Sequence, residues 1–332
     1  MSQTRSNQTP AIGLDIGTSR IVTAERADTG YQYRAQLNAF VSLPYSSLTE
    51  SVLTKENVPY SVLAGEIVVN GTESERFADL LGVETRRPMA KGVLNPGEPE
   101  SLTQIQKIVE QLIGPGKGRR LYFSVPAAPA GSEEGVSYHE ASLRRILMGA
   151  GYTVRSINEG LAVVYSELES SSYTGIGVSC GGGLCNVCLA YMSVPVVSFS
   201  LAKGGDFIDA SAAAATGDLT NRIKITKEDT FHFNGYFADK KLQALSVYYE
   251  DLIQSLIAAM KEAFAASRSL PKLKRPIPLV LSGGSTLPGG FRDRFEAALR
   301  ASEFPIQIDQ VRLADNPLEA TARGALIAAL SE

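Results

Sequence analysis

The sequence predicts an α/β protein made of two similar halves that face each other across a cleft. Three observations predict it. Near the start, Ile12, Leu14 and Ile16 alternate with Gly13 and Asp15, Gly17-Thr18 forces a turn, and the apolar run Ile21-Val22-Thr23-Ala24 follows at once. The same order returns 164 residues later, where Gly177-Val-Ser-Cys-Gly181-Gly-Gly183 repeats Gly13-Leu-Asp-Ile-Gly17 between apolar flanks. A repeat at about half the chain length marks two similar folding units. Finally, residues 277–281 run as a strand into Ser282-Gly-Gly-Ser-Thr286 and then a helix at 291–301. A Gly-Gly turn at the carboxyl end of a strand is where α/β proteins place nucleotides.

Taken in order, residues 11–24 and 31–41 read as successive strands of a meander. Residues 43–57, rich in Ser and Thr and carrying Pro44, read as loop. Strands at 60–63 and 67–69 and a helix at 73–81, ended by Gly82, complete a small insertion over residues 43–82. Residues 101–113 form an amphipathic helix with Leu102, Ile105, Ile108, Val109 and Leu112 on one face. Gly114-Pro-Gly ends it. A buried strand at 121–125, a helix at 137–150, a strand at 153–157 and a helix at 161–168 follow. Beyond the second hairpin come a strand at 195–200, an alanine-rich helix from 207 and the longest helix, 242–264. A last helix covers 318–330 and contains Ala322-Arg-Gly324. The expected domains are 1–157 with 318–332, and 158–317.

Each hairpin tip offers backbone amides, and the first adds the hydroxyls of Thr18 and Ser19 and the carboxylate of Asp15. Such a set suits a phosphate with its metal ion. Asp15 stands inside an apolar strand, where a carboxylate is costly without a partner, which favours a functional role.

Composition narrows the classes. Of 332 residues, 44% are hydrophobic and 20% charged, with a formal net charge of −3. This gives no support for a nucleic-acid surface. No apolar run approaches the roughly 18–20 residues that span a bilayer, and the polar residues 1–10 lack a secretory apolar region. Cys180, Cys185 and Cys188 fall within nine residues, an odd cluster that fits a reducing, cytoplasmic compartment. Cys185-x-x-Cys188 lacks the second ligand pair that zinc needs.

Five segments stand in one order: Leu14-Asp-Ile-Gly-Thr18, Ile157-Asn-Glu159, Gly181-Gly-Gly183, Leu281-Ser-Gly-Gly284 and Ala322-Arg-Gly324. With Arg87-Pro-Met-Ala-Lys-Gly-Val93, Lys203-Gly-Gly-Asp206 and Ala314-Asp-Asn-Pro-Leu318, this order resembles the actin-like ATPases, nearest the bacterial MreB and MamK branch. The resemblance covers most of residues 11–330. It implies two ribonuclease-H-like domains flanking a nucleotide cleft, each with a small inserted subdomain. It also implies ATP or ADP with Mg²⁺ as cofactors, and self-association into filaments in the cytoplasm, with slow hydrolysis.

Carried over, Asp15, Gly17, Thr18 and Ser19 form the first phosphate hairpin and Gly181, Gly182 and Gly183 the second. Gly283, Gly284 and Ser285 lie against the adenosine, and Lys227 and Glu228 contact the ribose and base. Asp15 and Glu159 serve the metal, and Glu140 orients the attacking water with Asp15 as its catalytic partner. Strict spacing for the water-orienting position selects His139 rather than Glu140.

The chain departs from the family pattern in three places. The water-orienting acid is one. At the second hairpin the usual acid is Ser179 and the usual threonine is Leu184. The outer segment at about 209–244 is also shortened. These departures leave a second reading open, a non-polymerising nucleotide-binding adaptor similar to PilM or FtsA, working through a protein partner. No acceptor-site acid stands between the hairpins, which disfavours a sugar kinase.

Overall fold

The computed structural model describes residues 11–332 apart from 130–135, 234, 238, 269, 272 and 274. Its elements, in chain order, are β1 (Ala11–Ile16), β2 (Arg20–Arg26), β3 (Tyr31–Leu37), β4 (Phe40–Pro44) and α1 (Ser47–Lys55). Next come β5 (Tyr60–Leu63), β6 (Glu66–Asn70), α2 (Thr72–Leu81), β7 (Met89–Ala90), β8 (Val93–Leu94) and α3 (Ser101–Ile113). The centre holds β9 (Arg120–Val125), α4 (Val136–Gly149), β10 (Thr153–Asn158), α5 (Glu159–Glu167), β11 (Gly175–Cys180), β12 (Cys185–Tyr191) and β13 (Val194–Leu201). The last part holds α6 (Gly205–Thr216), α7 (Thr220–Asp229), α8 (Lys240–Ala266), β14 (Ile277–Ser282), α9 (Phe291–Ala301), β15 (Ile308–Leu313) and α10 (Ala320–Leu330).

The repeat read from the two hairpins extends to whole sheets. One sheet has the strand order β10-β9-β1-β2-β3, the other β15-β14-β11-β12-β13. In each, an antiparallel three-strand meander is followed by two strands added in parallel beside its first strand. Even the register is shared. Asp15 pairs with Val22 as Ser179 pairs with Asn186, and Ile16 pairs with Ile21 as Cys180 pairs with Cys185.

Alternation along the strands sorts side chains to two faces. Ile12, Leu14, Ile16 and Ile21 pack with the apolar stripes of α3 and α4. On the second sheet, Ile176, Val178, Cys180 and Val187 pack with Leu245, Tyr249, Leu252 and Leu256 of α8. The opposite faces meet two small-residue helices: Val22 and Ala24 pack with α10, and Cys188 and Ala190 with α5. The order Ala322-Arg-Gly324 is therefore a packing signature, because it lets α10 lie close against α5 and β1.

The insertion departs from expectation. Residues 47–55, read as loop, form helix α1, whose N-cap Ser46 accepts from the Thr49 amide. Only Leu53 of that helix is buried, so no apolar stripe announces it. The strand expected over 31–41 breaks after Leu37. Phe40 starts β4, which joins β6 and β5 in a separate three-stranded sheet with its own core of Val41, Leu53, Ile67 and Val69.

Candidate functional site

Asp15 is the last residue but one of β1, its Oδ1 accepting from Ser124 Oγ on β9 at 2.6 Å, while Ser124 Oγ accepts from the Ile16 amide at 3.2 Å. The turn that follows is closed by Gly17 N–H donating to the Arg20 carbonyl at 2.9 Å. Asn38 Nδ2 then holds the Gly17 carbonyl at 2.9 Å. The second hairpin closes likewise, Gly181 N–H to the Leu184 carbonyl at 3.0 Å. It is held from behind by the amides of Gly205 and Asp206, which donate to the Gly181 and Gly182 carbonyls at 3.0 and 2.8 Å. Ser285 Oγ donates to the same Gly181 carbonyl at 2.9 Å, tying in the turn after β14.

The two tips touch. A Cβ built on Gly182 would stand 2.3 Å from Ser19 Oγ, and one on Gly183 would stand 2.4 Å from Thr18 Oγ1. Only glycine permits this approach. Thr18 Oγ1 also accepts from the Gly92 amide at 3.1 Å, which docks the short β7–β8 turn on the first hairpin. No hydrogen bond among the described residues uses the amides of Thr18, Ser19, Gly182 or Gly183. Those donors are left for something else.

Behind the tips lies a cleft of about 570 Å³. Its walls include Asp15, Thr18, Ser19, Gly181, Gly182, Gly183, Glu159 and Ser179. Lys227, Glu228, Phe231, Gly283, Gly284 and Ser285 line the same cavity. The cavity thus brings together residues that are up to 270 positions apart in the chain. Lys227 is committed, its Nζ lying 2.7 Å from Asp209 Oδ2 in a buried ion pair.

Glu159 opens α5, and its Oε2 accepts from Asn186 Nδ2 at 2.7 Å and from Ser179 Oγ at 3.3 Å. Burial pushes the Glu159 pKa up, and the Asp15 charge pushes it further. Burial raises Asp15 as well, against the Ser124 hydrogen bond that lowers it. Two recessed carboxylates that disfavour each other's charge suit a divalent cation. Among the described residues no group of three His, Cys, Asp or Glu side chains gathers as a metal cage.

Glu140 is not brought to the cleft. Its carboxylate pairs with Arg144 at 2.5 Å and accepts from Ser156 Oγ at 2.6 Å. It borders a separate recess with Arg144, Arg145 and Met148. Neighbouring His139 is buried, and its Nδ1 accepts from the Leu94 amide at 3.2 Å. Burial lowers its pKa to about 4, so it stays neutral and structural.

Sequence reading missed the contacts that cross the cleft. Arg87 Nη1 reaches Asp206 Oδ1 at 2.8 Å, and Lys224 Nζ on α7 reaches Glu75 Oε1 on α2 at 3.0 Å. Arg20, just after the first tip, also stands on the cleft wall. In sequence it is marked as the arginine that directly follows Gly17-Thr18-Ser19.

Residues 11–329 match the family model of volactin. The chain belongs to the volactin family. No curated protein matches it. Among solved structures, this volactin superposes on a MamK double helical filament with TM-score 0.72 at 17% identity, covering 96% of this chain and 98% of that one. MreB5 of Spiroplasma citri bound to ADP gives 0.66 at 13% identity, covering 95% and 94%. The ethanolamine utilization protein EutJ from Carboxydothermus hydrogenoformans gives 0.57 at 14% identity, covering 98% and 92%. At such identities the likeness establishes the fold, and the fold of this volactin is the two-sheet actin-like one.

Proposed function

We propose that this volactin binds ATP with Mg²⁺ in the cleft, assembles into filaments and hydrolyses the nucleotide slowly. The observation that carries the reading is the pair of touching hairpins, whose residues line the cavity and whose tip amides are unused among the described residues. Amides in such turns bind phosphate oxygens whatever the side chains are. Gly17, Thr18 and Ser19 take one side of the polyphosphate and Gly181, Gly182 and Gly183 the other. Gly283, Gly284 and Ser285, with Lys227 and Glu228, border the nucleoside.

Asp15 and Glu159 would hold the Mg²⁺, whose chemistry is to neutralise charge on the terminal phosphates. The chain offers little else for hydrolysis. Ser179 is neutral where a further acid would serve the metal, and Glu140 is engaged elsewhere. Turnover is expected below about 1 s⁻¹.

Self-assembly is supported by the superposition on a MamK filament over nearly the whole of both chains. The three cysteines are buried and unbridged, which suits a cytoplasmic protein. No helix among the described residues is long and apolar enough to cross a membrane. Ser179 favours one second reading, a nucleotide-binding adaptor that neither polymerises nor hydrolyses efficiently. Electron microscopy of the purified protein with and without ATP and Mg²⁺ separates the two. Filaments support the first reading, whereas nucleotide-bound monomers or dimers at every concentration support the second.

A further inference from the structure

Arg20 is the first residue of β2, and its carbonyl closes the first hairpin by accepting from Gly17 N–H at 2.9 Å. Its Cα is therefore fixed relative to the tip. Strand alternation decides where the side chain goes. Ile21 packs into the core beneath the first sheet, while Val22, two residues on from Arg20, faces the opposite way and lines the cleft beside its partner Asp15. Arg20 shares the Val22 face and lines the same cavity.

Three cations line that cavity, and two are spent. Lys224 is paired with Glu75 at 3.0 Å and Lys227 with Asp209 at 2.7 Å. Arg20 has no ion pair and no side-chain hydrogen bond among the described residues. Of the acids lining the cavity, Asp15 and Glu159 take their hydrogen bonds from Ser124, Ser179 and Asn186, all neutral, while Asp206 and Asp209 are paired with Arg87 and Lys227. A polyphosphate entering here meets amides, carboxylates and, among the described residues, a single uncommitted positive side chain.

We propose that Arg20 is the side-chain anchor for the outer phosphates of a nucleoside polyphosphate, an inference that rests on the nucleotide reading above. A guanidinium suits this place, because its planar fork can take two phosphate oxygens at once and its charge does not titrate. Rooted at the hairpin's closing residue, it reaches the ligand from the side wall while the amides of Thr18 and Ser19 meet it at the tip. It contributes to ATP and ADP and nothing to AMP, which lacks the outer phosphates. A lysine would supply the charge without the fork.

Isothermal titration with ATP, ADP and AMP in Mg²⁺, on wild type, Arg20→Ala and Arg20→Lys, tests this. Unfolding of the ligand-free proteins serves as the check on folding. The expected result is a loss of roughly tenfold or more in ATP affinity for Arg20→Ala, AMP binding unchanged and an intermediate Arg20→Lys, at unaltered ligand-free stability. Equal ATP affinity in wild type and Arg20→Ala overturns the inference and leaves the nucleotide reading standing. A parallel loss for AMP also overturns it, since the contact then is not to the outer phosphates. If wild type binds none of the three nucleotides, the nucleotide reading itself fails.

Discussion

Gly324 on α10 faces Ala162 on α5 so closely that a Cβ at position 324 would stand 1.8 Å from the Ala162 carbonyl oxygen. Gly160 lets the other side of α5 approach its own sheet, its Cβ position lying 2.6 Å from the Cys188 amide of β12. The two helices that follow the last strands of the two sheets are thus pressed together at Gly324, and α5 is seated on β12 at Gly160. Glu159 sits at the start of one of them.

Gly324→Ala should therefore destabilise the protein, although alanine is the better helix former by about 1 kcal/mol. The clash is with backbone, which cannot swing aside, so overpacking of about 1–3 kcal/mol or more decides the sign. Gly149→Ala is the matched control, since a Cβ there meets nothing within 4 Å. It should be neutral or gain up to about 1 kcal/mol. Urea unfolding of both variants checks the pair, and a stabilised Gly324→Ala would refute the crossing as described.

Buried His139 makes stability fall on acidification. Its folded pKa is lowered from 6.5 to about 4. Between those values the unfolded chain binds a proton that the folded chain refuses, so stability drops as pH falls through that window, by about 3 kcal/mol in all. Asp15 and Glu159, with raised values, act in the opposite sense. The difference between wild type and His139→Gln, followed by denaturant unfolding from pH 7 to pH 4, isolates the histidine. A pH-independent difference would contradict its neutral burial.

The cross-cleft pair Arg87–Asp206 is partly exposed, with side-chain exposures of 27% and 39%. Breaking it with Arg87→Ala should cost less than about 1 kcal/mol of stability. Its larger effect is expected on nucleotide retention, because the pair spans the cleft. Release of a fluorescent ATP analogue, timed by stopped flow, should speed up several-fold, and an unchanged rate would remove the pair from any role in holding the cleft shut.

Ser179→Asp should raise ATP turnover several-fold and sharpen its dependence on Mg²⁺. Without metal the same variant should be less stable than wild type, because a third carboxylate joins Asp15 and Glu159. Phosphate release at graded Mg²⁺, alongside unfolding in EDTA, measures both. Unchanged turnover would show that the missing acid does not limit the reaction.

What could be read from sequence follows from the range of the signals. The hairpins were legible because strand alternation and a Gly-rich tip are local, and their repetition at a fixed offset exposed the paired sheets. The apolar stripes of α3 and α8 were equally plain. Helix α1 escaped because it buries one leucine and turns its other apolar residues, Leu48 and Val52, to solvent, so no apolar stripe forms. Glu140 stands one position from the place that strict spacing selects, and nothing local announces that the helix phase turns His139 inward and pairs Glu140 with Arg144. Arg87 and Asp206 lie 119 residues apart, and nothing local to either announces the other.

Calorimetric titration of ATP, beside adenosine, into the protein with Mg²⁺ tests the central claim most directly. Paired hairpins of free amides predict saturation at one ATP per chain, with adenosine bound at least tenfold more weakly because the phosphates carry the affinity. Absence of saturable ATP binding, or equal affinity for adenosine, would contradict the account.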